Sequence, residues 1–262
     1  MSMKKAASEP RKPTSSKSPK NQHEPGRQRY YSKSPDKKQG RNTMNSKNRK
    51  NIITIRSFEK ETGVHFTVNH TGKMEGMQSL STSCVCNPVC VARMKDSNSI
   101  CSHCFAAAMH KRYGNLAIRM EQNYQILSSK LFEIEELPMI NAAWFRFESF
   151  GDLGSVIQAQ NYLRIAKRNP QTFFAIWTKN PSFMAKAIEI EGKPENINII
   201  LSSPYMNTTC DESKWNFVDK TFTVFDKQHS DGVKINCGDR KCMECRICYT
   251  KNEILRINET LR

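Results

Sequence analysis

Residues 172–201 read Thr-Phe-Phe-Ala-Ile-Trp-Thr-Lys-Asn-Pro-Ser-Phe-Met-Ala-Lys-Ala-Ile-Glu-Ile-Glu-Gly-Lys-Pro-Glu-Asn-Ile-Asn-Ile-Ile-Leu. Two short apolar runs, 172–177 and 197–201, flank a segment opened by Pro181 and Ser182 and closed by Gly192. Pro at a first helical position and Gly just past a last one are helix punctuation, so 182–189 is predicted as a helix between two strands. The second run is apolar throughout except for Asn198, as expected of a strand covered on both faces. A strand, a helix and a strand in about thirty residues make a βαβ crossover, which joins parallel strands with a right-handed turn.

Working outward, the pattern repeats. Residues 143–147 are a predicted strand, 153–167 a helix, and 221–225 and 233–235 two further strands. Residues 52–58 and 65–69 read as short strands around a turn at Gly63. Residues 105–132 carry apolar side chains at helical spacing (Leu116, Met120, Tyr124, Leu127, Leu131), with Gly114 dividing them. The predicted fold is α/β over residues 51–262, either a partial (β/α) barrel or an open, mostly parallel sheet. Too few βα units are visible for an eight-fold barrel.

Charge is unevenly spread. The chain has 262 residues and a formal charge of +16. Residues 1–50 carry 15 Lys/Arg against 3 Asp/Glu, a net of +12, which leaves only +4 for the rest. That stretch is rich in Ser, Pro and Asn, has few aliphatic side chains and repeats Ser-Lys-Ser-Pro at 16–19 and 32–35. It is expected to be a disordered basic tail, because it cannot bury enough apolar surface to offset the entropy of folding. Two readings stay open for it: an arm held to nucleic acid by phosphate attraction, or a solvated tail without a specific partner. No apolar stretch follows Lys4 and Lys5, so no secretory signal is expected, and no run is long enough for a membrane span. The expected location is the cytoplasm, with no membrane partner.

Nine of the ten cysteines fall in two short groups, and Cys210 stands apart. In a reducing compartment this clustering points to metal rather than to disulfides. Cys237, Cys242, Cys245 and Cys248 read Cys-x4-Cys-x2-Cys-x2-Cys. Four thiolates on one continuous polar loop favour an iron–sulfur cluster, [4Fe–4S] in type, over a single ion. Zinc is the alternative, although its structural sites more often pair two distant knuckles. The first group holds five thiols: Cys84, Cys86, Cys90, Cys101 and Cys104. Cys86, Cys90, Cys101 and Cys104 are the assigned ligands, with Cys84 the alternative to Cys86. Three bound thiolates would leave one iron open, and four would close it. His103 reads as a loop residue beside the site.

Ligands of parallel sheets gather at the carboxyl ends of the strands. The residues just past the predicted strands include Glu148, Asp152, Lys179, Ser202, Ser203, Asp226 and Cys237. Glu148, Asp152 and Lys179 are the candidate catalytic residues, and Ser202 and Ser203 the candidate cofactor-binding ones. Ordinary loop roles compete: Asp152 and Ser182 could each cap a helix. Arg146, alternating with apolar neighbours, should point into a barrel or pair with an acid. Cys237, just past the predicted strand at 233–235, also places the C-terminal cysteines on the same rim. No catalytic triad, phosphate loop or HExxH motif is present.

Several stretches, in order, carry a resemblance. They are Lys-Met-Glu-Gly-Met-Gln-Ser-Leu-Ser-Thr (73–82), Cys-Ser-His-Cys-Phe-Ala (101–106), Arg-Phe-Glu-Ser-Phe-Gly-Asp-Leu (146–153), Phe-Ala-Ile-Trp-Thr-Lys-Asn-Pro (174–181), Ile-Ile-Leu-Ser-Ser-Pro (199–204) and the final cysteine group. Over roughly 72–249 the chain resembles the phage and mobile-element gene product 88 family and, more distantly, radical-SAM-like cysteine-rich proteins. The distant resemblance implies a partial barrel with an iron–sulfur cluster at its mouth and S-adenosylmethionine as a candidate cofactor. Radical-SAM enzymes hold their cluster by Cys-x3-Cys-x2-Cys. Here Cys86-x3-Cys90 is followed by no cysteine until Cys101. Two functions therefore compete: an iron–sulfur enzyme of radical-SAM-like architecture, and a zinc-stabilised, non-catalytic module that contacts nucleic acid.

Overall fold

A computed structural model describes residues 52–261. The basic tail expected over residues 1–50 lies outside the described residues.

The chain runs α1 (Ile55–Thr62), β1 (Phe66–Val68), β2 (Gln78–Leu80), α2 (Pro88–Lys95), α3 (Phe105–Arg112), α4 (Gly114–Ser129), β3 (Trp144–Phe147), α5 (Val156–Arg168), β4 (Phe173–Thr178), α6 (Pro181–Glu191), β5 (Ile197–Ser202), β6 (Lys220–Phe225), α7 (Cys242–Cys245) and β7 (Arg256–Thr260). Seven strands form one sheet in the order β1-β2-β3-β4-β5-β6-β7. β1 pairs antiparallel with β2, and every later neighbour pair is parallel. The sheet is thus α/β, open and mostly parallel.

Alternation along the strands divides the sheet into two faces. Phe145, Phe147, Phe174, Ile176, Ile197 and Ile199 join one buried cluster with Phe58 of α1, Leu127 of α4, Leu163 of α5 and Ala187 of α6. Tyr162 anchors that side: its ring stacks on Phe147 at 4.4 Å, and Phe147 stacks on Phe174 at 5.1 Å. Offset ring pairs of this kind add about 0.5–1.5 kcal/mol each beyond the area they bury. Ala175, Ile200 and Ile257 face the other way, into a second cluster with Met77 and Tyr249, against which Trp144, Trp177 and Phe222 pack. Strand order follows chain order, and α1, α4, α5 and α6 pack on the first face, whereas the β6–β7 connection with α7 packs on the second. That second face is covered by the segment that carries the last four cysteines, with the short helix α7 inside it.

Four sequence expectations are corrected. Residues 52–58 do not form a strand. Thr54 caps α1 reciprocally with Ser57, and a capping box of this kind outweighs the local run of isoleucines. No strand forms at 233–235. The seventh strand is instead β7, Arg-Ile-Asn-Glu-Thr, whose polar composition hides it. The cysteine-rich stretch 83–104 is not simply loop: Asn87 caps α2, and Ser99 caps a 3-10 turn over Ile100–His103. Ser155, rather than Asp152, caps α5, and Ser182 lies inside the first turn of α6, which Pro181 opens.

Candidate functional site

Glu148 stands just past β3, fully buried and in the left-handed region at φ 51°. A non-glycine residue there costs on the order of 1 kcal/mol and is held by its surroundings. Four donors hold it: the Thr82 amide (3.1 Å), the Thr82 hydroxyl (3.0 Å), Gln158 Nε2 (2.7 Å) and the Tyr162 hydroxyl. Burial raises its pKa to about 7, although the hydrogen bonds from Tyr162 and Thr82 favour the ionised form. Gly151 has no side chain for a steric reason, since a Cβ would lie 2.5 Å from Glu148 Oε2 and 2.6 Å from the Thr82 carbonyl.

Asp152 ties the carboxyl ends of β3 and β4 together. It accepts from the Thr178 hydroxyl at 2.7 Å, from the Lys179 amide at 2.9 Å and from the Leu153 amide at 2.7 Å. Its own carbonyl accepts from Asn87 Nδ2 at 2.8 Å, which fastens the cap of α2, and hence Cys90, to this rim. Arg93 of α2 lies over the same place, donating to the Lys179 carbonyl at 2.7 Å. Ser99 and the Ile100 amide both donate to the Pro204 carbonyl, which fixes the Cys101–Cys104 turn against the loop after β5. Ser203 closes that loop on Tyr205, donating to its carbonyl at 2.8 Å and accepting from its amide. Ser202 is buried at the end of β5.

These attachments gather the first cysteine group at the carboxyl rim. Cys84 and Cys104 are hydrogen-bonded thiol to thiol, and Cys84 also senses Cys90, which in turn senses Cys101. The Cys84 bond lowers the Cys104 pKa to about 6, helped by the Ala106 and Ala107 amides at the start of α3. The same bond and burial push Cys84 up, and burial pushes Cys90 up. The Lys179 charge draws down Cys90, Cys104 and Cys210 alike. Cys86 is the exception: it lies against Ser83 and Glu121. Of the two candidates for a fourth thiol, the structure brings Cys84 beside Cys104 and turns Cys86 toward Ser83 and Glu121. Sequence spacing could not separate the two. Thr82, Gln158 and Tyr162, which hold Glu148, carried no motif, while Thr82 closes one of the family stretches.

The second group lies on the open face of the sheet, away from that rim. The Cys237 amide donates to the Asn258 carbonyl of β7 at 3.0 Å, and Asn198 of β5 donates to the Cys248 carbonyl at 3.0 Å. The Cys242 amide donates to the Lys73 carbonyl at 2.8 Å, and α7 ends where Arg246 turns into the left-handed region. Cys237 ends no strand, which is why its assignment to the rim fails. The other three thiols all act on Cys248, and burial pushes Cys237 and Cys242 up and Cys248 up to about 12. Two cations oppose this. Lys73 donates to Cys237 Sγ at 3.0 Å, and Arg146 acts on Cys242 and Cys248. Arg146 stacks 3.9 Å over the Trp177 ring rather than pairing with an acid. Among the described residues, no three His, Cys, Asp or Glu side chains stand in an arrangement that could hold a metal ion. No described helix is long and apolar enough to cross a membrane.

No curated protein and no solved structure matches the chain. The gene product 88 family matches it over residues 34–258, a stretch that takes in β1 to β6, the start of β7 and both cysteine groups. By that match the chain belongs to the gene product 88 family.

Proposed function

We propose that this protein is an iron–sulfur protein with one cluster in each cysteine group, and that the rim group is its working site. The observation that carries the reading is the sorting of eight thiols into two groups with cations among them: Cys84, Cys90, Cys101 and Cys104, where Lys179 acts on Cys90 and Cys104, and Cys237, Cys242, Cys245 and Cys248, where Lys73 acts on Cys237 and Cys242 and Arg146 on Cys242 and Cys248. An all-thiolate donor set suits a cluster of several irons. Gathered thiolates repel, and neighbouring lysine and arginine charges offset that repulsion. Loading would require the thiols to rearrange, because no three of the described side chains stand ready to hold a metal ion. When bound, the clusters would supply one-electron transfer.

Radical-SAM-like architecture, with S-adenosylmethionine at the rim, is the finer form of this reading. A sheet with strands in chain order, helices α4, α5 and α6 on one face and cysteines at the carboxyl ends supports it. The role of the rim residues then divides. Glu148 and Asp152 hold the loops that bring the cysteines together, while Lys179 supplies the charge facing the thiols. Ser202 and Ser203 would flank a small cofactor on the β5 side. Protein purified without oxygen should be brown, with iron and acid-labile sulfide in equal amounts. A colourless protein with stoichiometric zinc would overturn the reading and make the cysteines structural staples.

A further inference from the structure

Helix α3 leaves the rim cysteines with a large ring and two cations turned outward. Ala106 and His110 are its buried residues, whereas Phe105, Ala108, Lys111 and Arg112 are exposed. Phe105 is 68 % exposed, far more than a solvated loop needs from so large an apolar ring. It is not loose. Its ring stacks on Phe150 at 6.3 Å and 27°, and the other partner of Phe150 is the buried His110 ring at 6.5 Å and 20°. Three rings therefore form a series from the interior to the surface, and His110 has no hydrogen-bond partner among the described residues, so it serves the series as a ring.

Charge from the rim turn to the second turn of α4 has one sign, and Glu121, the next charged residue, lies against Cys86. Residues 97–120 contain Lys111, Arg112 and Arg119 and no Asp or Glu. None of these three cations forms an ion pair among the described residues. Arg112 instead lies 5.3 Å over the ring of Tyr113, itself 45 % exposed at the turn into α4. Phe105 and Arg112 are two turns of α3 apart and so share a face, about 10 Å from each other along the axis.

We propose that the α3–α4 hairpin is a binding surface for single-stranded nucleic acid, with Phe105 and Tyr113 as base-stacking platforms and Lys111, Arg112 and Arg119 as phosphate contacts. Exposed rings interleaved with unpaired cations are what a flexible strand with free base faces requires. A duplex keeps those faces hidden and would leave Phe105 without a partner. This surface belongs to the folded body, is distinct from the basic tail and does not depend on what the cysteines hold.

The test is a titration of the full chain with an oligothymidylate that carries one 2-aminopurine, read by fluorescence anisotropy and by quenching at several salt concentrations. Phe105→Ala should weaken binding about tenfold and abolish quenching without changing the salt slope. Phe105→Trp should restore both. The double variant Lys111→Gln/Arg112→Gln should reduce the salt slope by about 1.4, the loss of two phosphate contacts on a single strand. Circular dichroism melts matching the parent protein would exclude misfolding. The proposal is overturned if these variants bind like the parent and only removal of residues 1–50 weakens binding. It is equally overturned if the variants lose binding to phosphatidylserine vesicles while oligonucleotide binding is unchanged.

Discussion

Lys73 Nζ lies 3.0 Å from Cys237 Sγ and 2.7 Å from Glu259 Oε1, so one ammonium joins a loop after β1, a cysteine of the second group and the edge strand β7. Burial opposes the charge, but the bonds to Cys237 and Glu259 raise the Lys73 pKa. Lys73→Gln should lower stability by about 1 kcal/mol, since the pair is a quarter exposed and partly screened. Urea midpoints measure it, and Lys73→Arg should recover most of the loss.

Gly151→Ala should cost about 2–4 kcal/mol. The added methyl would meet the Thr82 carbonyl and the Glu148 carboxylate at 2.6 and 2.5 Å, and the first of these is backbone that cannot turn away. Gly114→Ala is the control, because nothing lies within 4 Å of a Cβ there, and it should be neutral or slightly stabilising.

Glu148 makes stability depend on pH. Its folded pKa, about 7, lies above the unfolded value of 4.5. The folded state therefore holds the proton more tightly, and the contribution is fully present below about pH 4.5. It is lost as pH rises to about 7 and stays lost beyond, a change on the order of 2–4 kcal/mol. Glu148→Gln should remove that slope. Unfolding curves at pH 5 and pH 8 for both proteins check this, and an unchanged slope in the variant would count against the assignment.

Cys84→Ser and Cys86→Ser should differ, although the two residues are neighbours in sequence. Cys84 is hydrogen-bonded to Cys104, whereas Cys86 faces Ser83 and Glu121. Metal bound per chain should fall in the first variant and hold in the second. The reverse result would restore the ligand set suggested by spacing alone.

The central strands were legible because burial on both faces forces apolar runs. Residues 143–147, 172–177, 197–201 and 221–225 each fall within a residue or two of an observed strand. β7 was not, since its partners are β6 on one side and the chain at 236–237 on the other, so Arg256, Asn258 and Thr260 could stay polar. β2 escaped notice because three residues show no period. Cysteine membership was legible as two groups, but their separation was not. It depends on the chain after β6 folding back over the open face, where Asn198 holds the Cys248 carbonyl. Nor could Glu148 be read as a buried hub, because Thr82 comes from the chain after β2 and Gln158 and Tyr162 from α5, far apart in sequence.

Iron and acid-labile sulfide per chain, measured on protein purified without oxygen and on its Cys101→Ala and Cys245→Ala variants, test the two-cluster reading most directly. We expect roughly eight irons and eight sulfides in the parent protein, falling to roughly four of each in either variant. Zinc without sulfide, or loss of all iron from a single substitution, would contradict it.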